Sequence, residues 1–383
     1  MPSPRNLFRA GCISLALITV SVVANAGTGF ARSKAAPTPA EVLLKSMQRQ
    51  TSVNVLGIIT QRDGAGTGIT QTIRVERDRN GRSHFLVLAP LRHQGTESVD
   101  NGARSLVYWP DKNVIIDQDS PSKTPCDAQW RMTLAQKNYR LKFGTPLKIA
   151  GRTTRCIEAT PIDPRMEVRR FYVDATTSYP LRLELIGSNR TVVTIQDTKE
   201  ISYPVDVTAD RFVLKPVGAP RTLKFERPKS TSAAQVERAL GFEPIIPKVM
   251  PMGFAMQDMQ VTQSDRWRSV AIRVTDGLVR GTVYQWRSRG EDREVEGMDE
   301  NSVMKVGDVR MMIVSDLDAS RRQAMLEAFV ESALAEGLLD LSSVFLEPDP
   351  ICRRFTWIQS RYEDETSTVN ARYSLRKETT KKT

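Results

Sequence analysis

The chain has 383 residues, 40% of them hydrophobic, which suits a soluble globular chain of two domains and excludes a polytopic membrane protein. Its formal net charge of +11 favours anionic partners: phospholipid head groups, lipopolysaccharide or nucleic acid. The start of the chain narrows that choice.

Arg5 and Arg9 precede the apolar run "CISLALITVSVV" (12–23) and the small-x-small site "ANA" (24–26). This is the pattern of a secretory signal peptide over 1–26, cleaved after Ala26. An uncleaved anchor is the alternative, but the run is short for a bilayer. Cys12 precedes the apolar run, so it is not read as a lipid-attachment site. Export argues against nucleic acid as the partner and places the protein in the periplasm or another extracytoplasmic space. Cys126, Cys156 and Cys352 then meet an oxidising compartment. Cys126 and Cys156 are the candidate disulfide pair, with three unpaired thiols as the alternative.

Residues 27–37 read as a flexible mature N-terminus. "TPAEVLLKSMQRQ" (38–50) reads as a helix over about 39–50, with Thr38 and Glu41 as a capping box and Pro39 in the first turn. From Asn54 to Ile201 the periodicity is two, through some nine or ten strand-like segments. "DGAGTG" (63–68) lies between two of them and opens no helix, so it reads as a hairpin loop rather than a phosphate cradle. "CDAQWRMTLAQKN" (126–138) reads as a short helix. So many antiparallel strands must curl into a barrel or half-barrel. The first domain spans 38–203.

A proline-bearing connector, 204–245, follows, with one helix in "KSTSAAQVERALGF". A smaller domain spans 246–336. "SVAIRVTDG" and "LVRGTVYQW" read as a hairpin, and "RSRGEDREVEGMDEN" as a solvated charged loop. "VRMMIVSDLDASRRQAMLEAFVESAL" reads as a buried strand and then a helix. Its N-cap is Asp318, and its core face is Met325, Leu326, Phe329, Val330 and Ala333. The tail, 337–383, is polar and read as partly disordered. These elements are mainly β: a large antiparallel barrel or half-barrel and a second, smaller domain.

Chemistry is sparse. His84 and His93 have no Cys or acidic companions at ligand spacing, so no metal site is read. No catalytic motif occurs, and no cofactor is expected. A half-barrel face that helices leave unfilled accepts an apolar ligand such as an acyl chain. The segment "FYVDATTSYPLRLEL" (171–185) supplies candidates. Alternation turns Phe171, Val173, Leu181, Leu183 and Leu185 toward a concave wall, and Arg170, Tyr172, Arg182 and Glu184 away from it.

The same segment, with "GRTTRCIEATP" before it, resembles a recurring pattern of the periplasmic sigma-E regulators of the RseB/MucB type. The matching residues are Gly151, Arg152, Tyr172, Asp174, Thr177, Pro180, Leu181 and Arg182. "SVDNGARSLVYWPDKNVI" resembles an upstream hairpin of that family. "PKVMPMGF" (247–254), the "DG" at 276–277 and the strand and helix after it resemble its second domain. The resemblance implies an α+β, mainly β fold: a LolA/LolB-like first domain, a large unclosed antiparallel barrel with covering helices, plus a small α/β domain. It also implies a non-enzymatic regulator of the envelope stress response that binds the periplasmic part of an anti-sigma factor. The groove would respond to a lipoprotein acyl chain or another anionic lipid. A LolA-like carrier of lipoprotein or lipid is the alternative.

Overall fold

The computed structural model describes residues 36–50, 52–62, 69–120, 127–187, 189–225, 230–263, 268–287, 303–306, 308–315, 317, 319–335 and 337. The first element is helix α1, Pro39–Arg49. The Thr38 amide donates to Glu41 Oε2 at 2.7 Å, and Thr38 Oγ1 accepts from the Glu41 amide at 3.3 Å, so the capping box forms as read. Val42 and Leu43 are its buried face.

Six strands follow: β1 Val55–Arg62, β2 Thr70–Arg77, β3 Ser83–Ala89, β4 Glu97–Asp100, β5 Arg104–Trp109 and β6 Val114–Asp119. After helix α2, Ala128–Asn138, come β7 Tyr139–Gly144, β8 Lys148–Ile149, β9 Arg152–Pro161, β10 Val168–Asp174, β11 Pro180–Ile186 and β12 Val192–Ser202. These and β13, Arg221–Phe225, make one sheet in the order β13-β6-β5-β4-β3-β2-β1-β12-β11-β10-β9-β7, with β8 on β9. Its end strands, β13 and β7, do not pair, so the sheet is unclosed. Every pairing is antiparallel except that of β13 with β6.

One face of the wing β9–β12 carries charges that neutralise one another across strands. Arg170 Nε donates to Glu158 Oε2 at 3.0 Å, and Lys142 lies 2.8 Å from Glu158 Oε1. Arg182 Nε and Lys199 Nζ each donate to Asp197 at 2.7 Å. Such partly solvated pairs hold register more than they add stability.

The proline-bearing stretch read as a connector is built into the fold. Asn54 Nδ2 donates to the Val205 carbonyl at 2.7 Å. The 3-10 turn Ala209–Phe212 then places Phe212 with Val207 on Val99, Leu56 and Leu214. β13 joins the sheet edge, and helix α3, Ala233–Leu240, ends at Gly241, whose φ of +77° suits glycine.

The second sheet is smaller. Its strands are β14 Ala255–Gln263, β15 Arg268–Thr275, β16 Arg280–Arg287, β17 Val303–Val306 and β18 Val309–Ser315, in the antiparallel order β14-β15-β16-β18-β17. Helix α4, Ala319–Ala335, packs on it. Met325, Leu326, Phe329, Val330 and Ala333 are all buried there, as the helical spacing required. β15 and β16 form the expected hairpin, turning at Asp276–Gly277. Asp276 Oδ1 accepts from the amides of Leu278 and Val279 at 2.9 and 2.7 Å.

The signal segment, the "DGAGTG" loop, Cys126, the charged loop after Arg287, Asp318 and the tail beyond Gly337 lie outside the described residues. Among the described residues no helix is long and apolar enough to cross a membrane.

Candidate functional site: the helix-covered face of the large sheet

β10 and β11 form a hairpin, and the residues quoted for the family resemblance hold its turn. Asp174 Oδ1 accepts from the amides of Thr176 and Thr177, both at 2.8 Å. Asp174 Oδ2 accepts from Arg152 Nε at 2.7 Å and from the Tyr203 hydroxyl at 3.3 Å. Burial pushes the Asp174 carboxyl up, but Arg152 and the two amides outweigh it and hold the group below its ordinary range. Gly151, at φ +75°, turns the chain into β9 so that Arg152 reaches Asp174. These are structural roles.

Register assigns the faces. Phe171 stands opposite Ile157 on β9 and Leu183 on β11, and Ile157 stands opposite Phe143 on β7. Directly paired residues share a face, so Phe143, Ile157, Phe171 and Leu183 form one row. Ile157 and Phe171 of this row pack with Val42 and Leu43 of α1, Met132 and Ala135 of α2, and Val173. Phe171 and Leu183 remain half-buried, and Phe143 is 48% exposed. The same face continues through Gln196 and Gln61 to Ile59, Ile73 and Val87 on β1, β2 and β3.

The five candidate wall residues therefore divide. Phe171 and Leu183 keep accessible apolar surface. Val173 and Leu185 are buried at 1% and 4% exposure. Leu181 is fully buried in a different cluster, with Val55, Ile149, Cys156, Tyr172 and Tyr179. The cause is a bulge. Tyr172 pairs with Arg182 but Val173 pairs with Pro180, so Leu181 is the extra residue. Tyr172, expected to point to solvent, is buried in that same cluster, with its hydroxyl donating to Glu184 Oε2 at 3.2 Å. Cys156 is buried beside it, and its candidate partner Cys126 lies outside the described residues.

Sequence reasoning missed a charged residue on this face. Arg169, opposite Leu185 and Ala159, is 1% exposed. It was hidden in "VRRFYV", where alternation alone gives no sign that one arginine is sealed in. The small sheet also reaches this site. Tyr139 donates its hydroxyl to Asp276 Oδ2 at 2.5 Å. Burial, then the Asp276 carboxylate, push the Tyr139 phenol far above its ordinary value, while Arg169 pulls it back. Asn138 Nδ2 donates to the carbonyls of Gly253 and Asp276 at 2.6 and 2.8 Å. A cleft of about 520 Å³ opens at this junction, lined by Lys137, Asn138, Tyr139, Arg165, Met252 and Asp276 among others. It borders the helix-covered face rather than lying on it.

On the opposite face, His84 sits between two acids. Its Nδ1 is 3.1 Å from Glu76 Oε2, and its Nε2 is 2.9 Å from Glu97 Oε1, off the line a hydrogen bond needs. Arg211, from the 3-10 turn, donates to Glu76 Oε1 at 2.7 Å. Glu97 raises the imidazole above its ordinary value, burial opposes it, and Glu76 adds to the rise. His93 ends a separate 3-10 turn, Leu91–His93. Among the described residues no group of three or more His, Cys, Asp or Glu converges on a metal position.

Comparison with known proteins bears on the whole arrangement. Residues 39–212 match the family described as the MucB/RseB N-terminal domain. A search of curated proteins found no match. Among solved structures, the chain is similar to MucB in complex with MucA(peri), at 14% identity and TM-score 0.51, over 74% of this chain and 96% of that one. It is also similar to the MucA/MucB complex of Pseudomonas aeruginosa, at 14% identity and TM-score 0.52, over 75% and 96%. At that identity the likeness establishes the fold. Over residues 39–212, then, this chain is similar to the MucB/RseB N-terminal domain.

Proposed function

We propose that the protein is an exported, non-enzymatic regulator that binds the periplasmic part of an anti-sigma factor. Its helix-covered face takes a lipoprotein acyl chain or another anionic lipid. The observation that carries the reading is the family match over 39–212, joined to solved relatives that are complexes of MucB with MucA. The half-buried Phe171 and Leu183, on a face that two helices cover, support the acyl chain. Periplasmic residence rests on the signal pattern of residues 1–26. The small second domain is the part we assign to docking, with the apolar face as the sensor.

A pull-down from envelope extract tests the reading. Recovery of a single-pass membrane protein, released when lipid is added, is the expected result. Recovery of none contradicts it. The apolar face alone also suits a carrier that shuttles lipoproteins. Transfer of a labelled lipoprotein between membranes, without any anti-sigma factor, would favour that second reading.

A further inference from the structure

Apolar packing does not account for Arg169. Its Nε and both terminal nitrogens make no well-aligned hydrogen bond among the described residues, where the Tyr139 hydroxyl is the neutral group that feels its charge, and its side chain is sealed from solvent. A buried guanidinium without a counter-ion is strongly unfavourable. Two acids of the neighbouring elements have other partners. Glu167, two residues back on β10's approach, receives Arg321 at 2.9 Å. Asp276 takes the Tyr139 hydroxyl on one oxygen and two amides of its own turn on the other.

The β15–β16 turn packs on α2, and its Asp276 holds the Tyr139 hydroxyl that feels the Arg169 charge. A side chain at Gly277 would place its Cβ 2.4 Å from the Ala135 nitrogen and from the Arg131 carbonyl oxygen, so the turn lies directly on the backbone of α2. Leu278 is buried in the same cluster as Val42, Met132 and Val173. The small sheet holds α2 at both ends: Asn138 at one, and Asp127, which receives Gln257 and Arg280, at the other.

We propose that Arg169 anchors the anionic head of a single-chain lipid, a fatty-acid carboxylate or a lysophospholipid phosphate, and that the Asp276–Val279 turn is the plug an arriving ligand displaces. This rests on the reading of the helix-covered face as a lipid groove. The planar guanidinium matches both oxyanions in a fork, which an uncharged chain cannot use. Phe171 and Leu185, its neighbours along and across the strands, supply the apolar wall.

The test displaces N-phenyl-1-naphthylamine from the full-length chain with oleate, oleoyl lysophosphatidate and oleyl alcohol. At least one anion should outcompete the alcohol by about tenfold or more, and the better anion names the source. Arg169→Met should bring the three to one level while keeping the alcohol's affinity, and should not melt below the wild type. Arg169→Lys should keep part of the preference. Oleate should also speed hydrogen exchange of the 276–279 amides. If the alcohol competes as well as both anions in the wild type, the anchor is wrong and the groove stands. If none displaces the dye, the groove reading falls and the anchor with it. Unchanged exchange at 276–279 overturns the plug.

Discussion

The two sheets solve the burial problem differently. Among the described residues, five strands with α4 and α3 gather one continuous core of 24 buried apolar residues, Met166 of the β9–β10 connection included, among them Val270, Ile272, Met311, Phe329 and Val330. The thirteen-stranded sheet divides its burial, among the described residues, into clusters of nine (Leu278 of the small sheet included), six and three such residues. A sheet that large cannot be sealed by two helices of 11 residues each. Apolar side chains are therefore left half-exposed between its clusters. The small sheet encloses one core, and the large one keeps accessible apolar surface.

Substitutions sharpen this contrast. The largest effect belongs to the small core: Phe329→Ala should cost about 3–5 kcal/mol in a denaturant titration. Within the large sheet, two leucines of one hairpin should part company. Leu181→Ala, from full burial, should cost about 2–5 kcal/mol, whereas Leu183→Ala should cost less than about 2 kcal/mol. Equal losses at the two would mean that the helix-covered face is as tightly packed as the rest, and the contrast would fail.

The smallest effect is electrostatic and confined to the large sheet. Glu97 and Glu76 raise the folded-state pKa of His84 above its ordinary 6.5. Its stabilising contribution is therefore complete below pH 6.5 and is lost as pH rises through the higher folded value. Melting curves of His84→Gln and wild type should differ most in mild acid and converge in alkali. Arg211, which holds the other oxygen of Glu76, should retain the 3-10 turn throughout. A difference that grows with pH would reverse the assignment.

Local signals were legible in the sequence. Thr38 and Glu41 cap α1, the Asp276–Gly277 turn joins a hairpin, and α4 buries the face its spacing marks. The order of family-like segments also pointed to the fold. What stayed hidden depends on distant partners. "RTLKF" lies in a proline-rich stretch and becomes a strand only by pairing in parallel with β6, more than a hundred residues earlier. "AMQDMQVTQ" has little β-branched content, yet it is β14, because β15 templates it. The bulge at Tyr172/Val173 moved Leu181 out of the row that strict alternation gave it. Arg169 is buried at 1% exposure, which depends on tertiary packing that no window of sequence contains.

The central claim is that the helix-covered face is a ligand surface and not plain core. A fluorescent fatty-acid titration of Leu183→Asp, paired with its melting curve, tests it most directly. The account predicts lost binding by a protein that still melts cooperatively near the wild-type temperature, because Leu183 is only half-buried. Lost stability together with unchanged affinity per folded molecule would contradict it.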